Sequence, residues 1–253
     1  MTSLILVTGG TGTLGTHLTP LLKNAGHDLR VLSRLPREPA DGIEYVTGDL
    51  LKDEGVQAAV EGTETVVHLA GGPRGDDEAT RNLTRAASRA GVRHLVYISV
   101  IGAHRVPIGY FRSKHRAERA VADSGVPWTI LRAAQFHDLV LTAMRSMTRM
   151  PVVPAPKGLR LQPVDSRDVA IRFAELALGT PAGLVRDLAG PGVYDVADLA
   201  RGYLRARGRR RPFLPIHIPG KAGRAYRAGE NLSLDEADHG DRTWEDFLTE
   251  RLA

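Results

Sequence analysis

The sequence contains no cysteine among its 253 residues. Disulfide bridges, thiolate metal sites and cysteine nucleophiles are therefore excluded. Aromatic residues are also scarce, at 5% of the chain. No apolar run approaches the roughly 20 residues that a membrane helix needs, and the N-terminal residues lack the charged and apolar pattern of a signal peptide. These absences predict a cytoplasmic protein that does not bind a membrane.

The chain carries a formal charge of +5, which raises the question of nucleic-acid binding. Its arginines are spread along the sequence, and the one dense run is RARGRRR at residues 205–211. Neither a recognition motif nor interleaved aromatic residues accompany this run, although a nucleic-acid reader needs them. We therefore interpret the run as the solvated end of a helix and predict no nucleic-acid partner.

The histidines give no indication of a metal site. His104 and His115 lack partners at the spacing of metal ligands, and no carboxylate cluster accompanies them. Zinc and similar ions need three or four such groups held together. The sequence therefore predicts no catalytic metal.

A glycine-rich turn near the N terminus is the clearest motif. Three glycines spaced G-x-x-G-x-x-G follow the apolar segment LILV at residues 4–7, and leucines recur behind them at helical spacing. Glycine lets the strand turn sharply into the helix and lets the backbone approach a phosphate, while the free N–H groups of the helix start face the anion. The pattern predicts a cradle for a dinucleotide pyrophosphate, built from Gly9, Thr11, Gly12, Thr13, Leu14 and Gly15.

Apolar strands and amphipathic helices alternate along the rest of the first half. This alternation predicts the α/β class, with a doubly wound parallel sheet whose ligands lie at the carboxyl edge of the strands. We expect further strands near residues 28–33, 44–46, 65–69, 95–99, 128–131 and 185–188, and helices near residues 53–60, 79–90, 110–124 and 168–178.

The pattern loosens beyond residue 131, where a helical stretch at 135–150 runs into the proline-rich segment 151–163 and then a polar tail. We therefore predict a nucleotide-binding core over residues 1–134 and a small C-terminal substrate lobe over residues 135–253. The last helix and strand of the core, about residues 164–190, would be interleaved with that lobe.

The end of the second strand indicates which dinucleotide binds. An acidic residue at this position would bind the ribose hydroxyl of NAD, whereas arginine can pair with the 2′-phosphate of NADP. The chain has Ser33 and Arg34 there, and the loop continues to Arg37. These residues favour NADP, unless Arg34 is simply a solvated loop residue.

Two further strand ends are candidate cofactor contacts. Asp49, next to Leu50, could accept a hydrogen bond from the adenine amino group, or it could cap the helix that follows. The small residues of the segment Ala70-Gly71-Gly72 would let the backbone lie along the cofactor, although a plain turn would also use them. Both alternatives stay open at this point.

A serine, a tyrosine and a lysine form a candidate catalytic set. Ser99 ends the fifth strand, and Tyr110 and Lys114 follow at positions i and i+4 of a predicted helix, where they share one face. A nearby ammonium lowers the pKa of a phenol, so that Tyr110 could transfer a proton while Ser99 holds the substrate oxygen. Taken alone, the pair could be surface neighbours and Ser99 a strand-end cap.

Together these motifs resemble the short-chain dehydrogenase/reductase superfamily, and the glycine spacing is similar to its extended and atypical, NmrA-like branches. The resemblance implies a Rossmann fold, Tyr110 as the acid-base group, Lys114 as a ribose contact and activator of the phenol, and Ser99 as the donor to the substrate oxygen. It also implies a supporting role for Asn82. The motifs are Gly9-x-x-Gly12-x-x-Gly15, Ser99-x-x-Gly102, Tyr110-x-x-Ser113-Lys114, residues 80–83, residues 128–132 and residues 164–170.

The chain departs from the family pattern around the tyrosine. The interval from Ser99 to Tyr110 is slightly shorter than in the classical branch, and residues 107–109 before the tyrosine form a flexible Pro-Ile-Gly segment. Either feature could displace the phenol. His137 is then a substitute proton donor, with a structural histidine as the alternative, and Phe136 beside it is a candidate substrate contact.

The combined hypothesis is an NADP-dependent oxidoreductase that transfers hydride between the nicotinamide and a carbonyl, alcohol or quinone of a small, apolar substrate. One alternative is an NmrA-type redox sensor that binds NADP without turnover. A second is a nucleotide-sugar epimerase or dehydratase. We expect a monomer or a homodimer whose partner is a small-molecule substrate.

Overall fold

The computed structural model describes residues 3–39, 41–72, 74–235 and 237–252. The strands, in chain order, are β1 (Leu4–Thr8), β2 (Asp28–Ser33), β3 (Ile43–Thr47), β4 (Thr65–His68), β5 (His94–Val100), β6 (Trp128–Ala133), β7 (Val153–Pro156), β8 (Arg160–Leu161), β9 (Gly183–Leu184), β10 (Asp187–Ala189), β11 (Tyr194–Asp195), β12 (Phe213–Ile216) and β13 (Ala237–His239). The helices are α1 (Thr13–Asn24), α2 (Val56–Val60), α3 (Asp76–Arg89), α4 (Gly109–Ala122), α5 (His137–Met147), α6 (Ser166–Leu178), α7 (Val196–Ala206), α8 (Gly220–Ala228) and α9 (Trp244–Leu252).

The main sheet has nine strands in the order β13-β10-β6-β5-β4-β1-β2-β3, with β9 beside β6. Each described pairing within it is parallel. The predicted doubly wound parallel sheet is therefore confirmed. Two small sheets accompany it: β11 pairs with β8 in antiparallel fashion, and β12 pairs with β7 in parallel fashion.

The strand β1 lies between β2 and β4 and pairs with both. Its residues Ile5, Leu6 and Val7 are at most 1% exposed, as expected for a strand that helices cover on both faces. Because parallel strands end at the same edge, β1, β2 and β4 bring Thr8, Ser33 and His68 to one side of the sheet. This is the edge at which ligands bind in such sheets.

The chain forms two compact units, each with its own apolar core. The first unit comprises Met1–Ser99, Arg112–Leu131 and Ala170–Val185. Its core is formed by side chains of β1, β4 and β5 together with α2, α3 and α4, among which Leu6, Leu83 and Leu95 are fully buried.

The second unit comprises Val100–Phe111, Arg132–Val169 and Arg186–Ala253. Its core joins α5, α7 and α9, with Trp244 and Leu199 fully buried. The boundaries between the two units fall after Ser99, Phe111, Leu131, Val169 and Val185. The predicted domains divide at residue 134 and interleave at about residues 164–190, and this division stays a prediction. The predicted polar tail also contains regular structure, because α7, α8, α9 and β13 all follow residue 190.

Most predicted elements agree with the structure within two or three residues, and β2 has the predicted bounds. The helix predicted from residue 53 begins later, at Val56. The cause is a turn in which Asp49 and Glu54 form a bridge while Asp53 and Gly55 adopt positive φ angles of 59° and 69°. A helix cannot begin before the chain leaves that left-handed conformation.

The predicted solvated end of a helix is confirmed at residues 205–211, which follow the body of α7 and are exposed. Across the described residues, no helix combines the length and apolar character needed to cross a membrane. Within the same ranges, no group of three or more His, Cys, Asp or Glu side chains is arranged to hold a metal ion.

Candidate functional site

The glycine turn joins β1 to α1 in a conformation that side chains would obstruct. Gly9 has a φ angle of +73°, and a Cβ there would lie 2.6 Å from the backbone nitrogen of Ala70. A Cβ on Gly15 would meet the carbonyl oxygen of Gly9 and lie 2.5 Å from the Cα of Gly10. The turn therefore requires glycine at these two positions.

The N terminus of α1 has no side-chain cap, and its first turn contains no acidic residue. The N–H groups of this turn have no helical acceptors and carry the positive end of the helix dipole. Gly12 is the N-cap residue, and its carbonyl oxygen accepts the first helical hydrogen bond from Thr16 at 3.0 Å. This arrangement fits a phosphate group.

A cavity of about 380 Å³ lies beside this turn, within the first unit. Its volume is within the range of small-ligand sites. The cavity is lined by Thr8, Gly9, Thr11, Gly12, Leu32, Ser33, Arg34, Gly48, Asp49, Leu50, Leu51, Leu69, Ala70, Gly71, Gly72, Arg74, Gly75, Asp76 and Ala79. The predicted cofactor contacts outside this lining are Thr13, Leu14, Gly15, Arg37, Asn82 and Lys114.

A larger cleft of about 710 Å³ lies between α3 and α4 in the same unit. Its rim carries arginines on both helices, and it has no glycine turn or strand end in its lining. We assign the dinucleotide site to the smaller cavity, because only the smaller cavity contains the groups that accommodate a pyrophosphate.

The end of β2 supplies the cationic edge of the cavity. The exposed Arg34 lines it, and no ion pair or hydrogen bond links the Arg34 side chain to another of the described residues. The buried Ser33 hydroxyl instead donates to the carbonyl oxygen of Leu35 at 2.8 Å, so it shapes the loop. Arg37 is exposed on the same loop, outside the lining.

The loop after β3 is held by two polar side chains. Asp49 Oδ1 accepts hydrogen bonds from the backbone nitrogens of Leu51 and Lys52 at 2.9 and 3.4 Å. Asp49 thus caps this turn rather than α2, whose N-cap is Gly55. Asn82 donates to the carbonyl oxygen of Leu50 at 2.8 Å and is buried. Asn82 therefore supports a loop that lines the cavity.

The end of β4 is tied to the start of α3. The backbone nitrogen of Gly72 donates to Asp76 Oδ1 at 2.6 Å, and the backbone nitrogen of Ala70 donates to the Thr8 hydroxyl at 3.3 Å. Gly71 lies between them, and a Cβ there would be 3.1 Å from the ammonium of Lys114. The three small residues predicted at this strand end therefore form a bare backbone surface inside the cavity.

Lys114 is buried among groups of β5 and α3. Its Nζ lies 3.0 Å from Asp76 Oδ2 and donates to the Tyr97 hydroxyl at 3.3 Å and to the carbonyl oxygen of Ile98 at 3.4 Å. The ammonium also lies 5.1 Å from the centre of the Tyr97 ring. Lys114 therefore contacts the phenol of Tyr97, which is completely buried.

His68 completes this buried polar region. Burial, together with the charge of Lys114, lowers the pKa of His68 to about 3, so its ring is neutral near pH 7. Thr80 donates its hydroxyl proton to the carbonyl oxygen of Asp76 at 2.6 Å and thus accepts from His68 Nε2 at 3.0 Å. The other ring nitrogen accepts from the Thr8 hydroxyl at 2.7 Å.

The three predicted catalytic residues differ in environment. Ser99 is buried, and its hydroxyl donates to Glu118 Oε1 at 2.5 Å. Tyr110 is in the first turn of α4, its side chain is 38% exposed, and its ring meets Phe111 edge-on at 5.5 Å. Tyr110 and Lys114 share α4 at the predicted spacing of four residues. The roles of all three stay predictions.

His137 and Phe136 lie in the second unit. His137 is fully buried, its Nε2 is 3.1 Å from the carbonyl oxygen of Pro163, and its ring packs against Trp244 and Phe247. Its Nδ1 lies 3.6 Å from Asp165 Oδ2. These contacts favour the structural alternative for His137. Phe136 is half-buried and precedes α5.

Asp165 next to this histidine is charged. Burial would raise the pKa of Asp165, but hydrogen bonds from the Arg167 guanidinium at 2.9 Å outweigh burial and hold that pKa well below its usual range. The motif at residues 164–170 therefore contains an internal ion pair at the start of α6. This pair fixes the loop against which His137 packs.

Several residues that line the cavity were not predicted from the sequence. They include Arg74, Gly75 and Asp76, at the start of α3. The signal available was the run of three acidic residues after Gly75, at which the predicted helix could have begun at residue 76 rather than 79. Acidic residues are favoured in the first turn of a helix, and α3 has three of them there.

The chain is similar to proteins of known type over most of its length. Residues 9–171 match the model of a family described as NAD(P)H-binding. A (4-alkanoyl-5-oxo-2,5-dihydrofuran-3-yl)methyl phosphate reductase of Streptomyces griseus is 32% identical over 213 residues, which cover 81% of this chain and 74% of that protein. An NAD(P)H azoreductase of Xenophilus azovorans is 29% identical over 218 residues, with coverage of 81% and 74%.

The fold also matches a solved structure. The NADPH complex of an NADPH-dependent quinone oxidoreductase from Escherichia coli superposes with a TM-score of 0.84 and 19% sequence identity. The match covers 98% of this chain and 100% of the oxidoreductase chain. At this level of identity the likeness establishes a common fold.

Proposed function

The chain belongs to the NAD(P)H-binding family of Rossmann-fold proteins, of the extended, NmrA-like type, and from this premise we propose that it is an NADPH-dependent reductase of a small organic substrate. Its relatives include the phosphate reductase of Streptomyces griseus, the NAD(P)H azoreductase of Xenophilus azovorans and a quinone oxidoreductase of Escherichia coli. The observation that carries the proposal is the glycine cradle of Gly9 and Gly15, which leads into a cavity with Arg34 at one edge.

The residues present fit a dinucleotide. The uncapped start of α1 suits a pyrophosphate, and a Cβ on Gly9 or Gly15 would collide with backbone atoms. The bound nicotinamide supplies hydride to the substrate. The protein's share is to bind the two halves of the cofactor, to exclude water and to deliver one proton.

Tyr110 is the proposed acid-base residue. When hydride reaches the carbon of a carbonyl, the oxygen gains the electron pair and needs a proton, which the Tyr110 hydroxyl would donate. The phenol is partly exposed, which leaves it accessible to a substrate. Lys114 lies four residues later on the same helix, and the resemblance to the short-chain dehydrogenase/reductase superfamily implies for it the role of activating this phenol.

The preference for NADPH over NADH rests on Arg34. The Arg34 side chain forms no hydrogen bond or ion pair with the other described residues, and the preceding residue is Ser33 instead of an aspartate or glutamate. A guanidinium can form a forked, charge-assisted contact with the 2′-phosphate, which only NADPH carries.

We expect Arg34→Ala to weaken NADPH binding by about ten-fold, because a charge-assisted hydrogen bond contributes about 1.5 kcal/mol or more. NADH affinity should change much less. Titration of each cofactor against intrinsic protein fluorescence measures both. Arg37→Ala is the matched control, since this arginine shares the loop but lies outside the cavity lining. Tighter binding of NADH than NADPH by the unaltered protein would overturn the assignment.

The reductase proposal itself is tested by following NADPH consumption with a panel of substrates. The panel spans quinones, azo compounds, ketones and unsaturated lactone phosphates, which include the classes that the relatives' names describe. We expect turnover with at least one class. If the protein binds NADPH but oxidises it with none of the substrates in the panel, a redox sensor without turnover would be favoured instead.

A further inference from the structure

The strongest unassigned feature is the ion pair between Asp76 and Lys114. The two side chains are only 5% and 6% exposed, and Asp76 Oδ2 lies 3.0 Å from Lys114 Nζ. Asp76 also lines the cavity beside the glycine turn, at the first residue of α3. None of the sequence motifs or family comparisons points to this aspartate.

Asp76 makes contacts in two directions. One carboxylate oxygen faces the ammonium, while the other accepts the backbone N–H of Gly72 at 2.6 Å. Gly71 lies close to both partners of the ion pair. A Cβ on Gly71 would be 3.1 Å from the Lys114 ammonium and 3.4 Å from Asp76 Oδ2. The Asp76 carboxylate thus fixes the positions of the Lys114 ammonium and of the backbone that follows β4.

The other two described hydrogen-bond acceptors of the ammonium are uncharged groups. They are the Tyr97 hydroxyl and the carbonyl oxygen of Ile98. His68, whose ring stacks on Tyr97 at 5.2 Å, is neutral near pH 7. A buried ammonium without a carboxylate partner is costly, so the position of the Lys114 side chain depends on Asp76.

We propose that Asp76 is a positioning residue, which holds the ammonium of Lys114 where the nicotinamide half of the cofactor binds. The inference rests on the proposed function and deepens it. Asp76 acts through Lys114, and its second carboxylate oxygen accepts the backbone N–H of Gly72. The adenosine half of the cofactor, at the Arg34 edge, is independent of this ion pair.

The test is Asp76→Asn, which keeps a side-chain oxygen for the Gly72 N–H and removes only the charge. We expect NADPH affinity to fall about five- to ten-fold, the effect of losing one well-placed contact. The affinity for 2′,5′-ADP, which lacks the nicotinamide half, should stay within about two-fold. Both are measured by isothermal titration, with thermal unfolding recorded for each variant.

Asp77→Asn is the matched control. Asp77 is the next residue of α3 and also joins that helix to α4, since it accepts from the Ser113 hydroxyl at 2.9 Å and from Arg116 at 2.8 Å. It does not line the cavity. We expect Asp77→Asn to leave the affinities for NADPH and 2′,5′-ADP unchanged. An equal loss of both ligands in Asp76→Asn would show a general structural role and overturn the proposal.

A double variant keeps the test decisive if Asp76→Asn folds poorly. Lys114→Met removes the ammonium, and Asp76→Asn combined with it leaves no unpaired charge in the interior. If Asp76 acts through Lys114, the second substitution should change NADPH affinity by less than about two-fold in this background. A further loss as large as in the unaltered protein would refute the mechanism. Failure of the unaltered protein to bind NADPH or NADH would instead refute the proposed function.

Discussion

Replacing Tyr110 with phenylalanine is expected to lower turnover by about 10²- to 10⁴-fold, the usual contribution of a positioned general acid. Phenylalanine retains the ring that meets Phe111 edge-on and loses only the hydroxyl. Because the cavity lining excludes Tyr110, NADPH affinity should be almost unchanged. Steady-state oxidation of NADPH with the best substrate of the panel measures the first quantity, and fluorescence titration measures the second.

Two other tyrosines make this experiment specific. Tyr226→Phe is the matched control, because this half-buried phenol also lies edge-on to Phe111, at 6.5 Å, and has no proposed role. Tyr97→Phe removes the buried hydroxyl that accepts a hydrogen bond from Lys114. Turnover retained in Tyr110→Phe and lost in Tyr97→Phe would assign the lysine-linked phenol as the essential one and reject Tyr110 as the acid.

Gly15→Ala is expected to weaken NADPH binding by up to about 100-fold. The added Cβ would lie 2.5 Å from the Cα of Gly10 and meet the carbonyl oxygen of Gly9, so the turn must open. Overpacking of this kind costs about 1–3 kcal/mol, which appears as lost stability of the free protein and lost complementarity to a pyrophosphate. Calorimetric titration and denaturant unfolding measure the two effects.

Gly109→Ala provides the comparison. A Cβ at Gly109 meets no atom within 4 Å, and the φ angle is not positive, so this substitution adds a methyl group to open space. We expect it to bind NADPH like the unaltered protein. Unchanged NADPH affinity in Gly15→Ala would mean that the glycine turn is not the phosphate cradle.

Local chemistry explains what the sequence predicted well. The buried run of β1 followed by a G-x-x-G-x-x-G turn has one compatible structure, and the turn indeed joins β1 to α1. The strand β2 follows α1, and its predicted bounds agree with the structure to the residue. Arg34 was found from its place after a strand, and the structure puts it in the cavity lining.

Tertiary contacts explain what the sequence did not reveal. The partner of Lys114 is Asp76, which lies on a different helix and has no pattern linking it to residue 114. The partner of Ser99 is likewise Glu118, which no motif indicated. The elements after residue 190 were taken for a polar tail. The strands β11, β12 and β13 have only two to four residues each and give a weak periodic signal. The apolar face of α7, where Val196, Leu199 and Leu204 are buried, was a usable signal.

The bare start of α1 links cofactor supply to the lifetime of the protein. Its first turn exposes N–H groups that no side chain caps, so the free protein lacks partners that a phosphate would provide. A ligand that binds only the folded chain stabilises it in proportion to the logarithm of its concentration. The proteolytic half-life would thus lengthen as the dinucleotide concentration rises, whether the nicotinamide is oxidised or reduced, because both forms carry the same pyrophosphate.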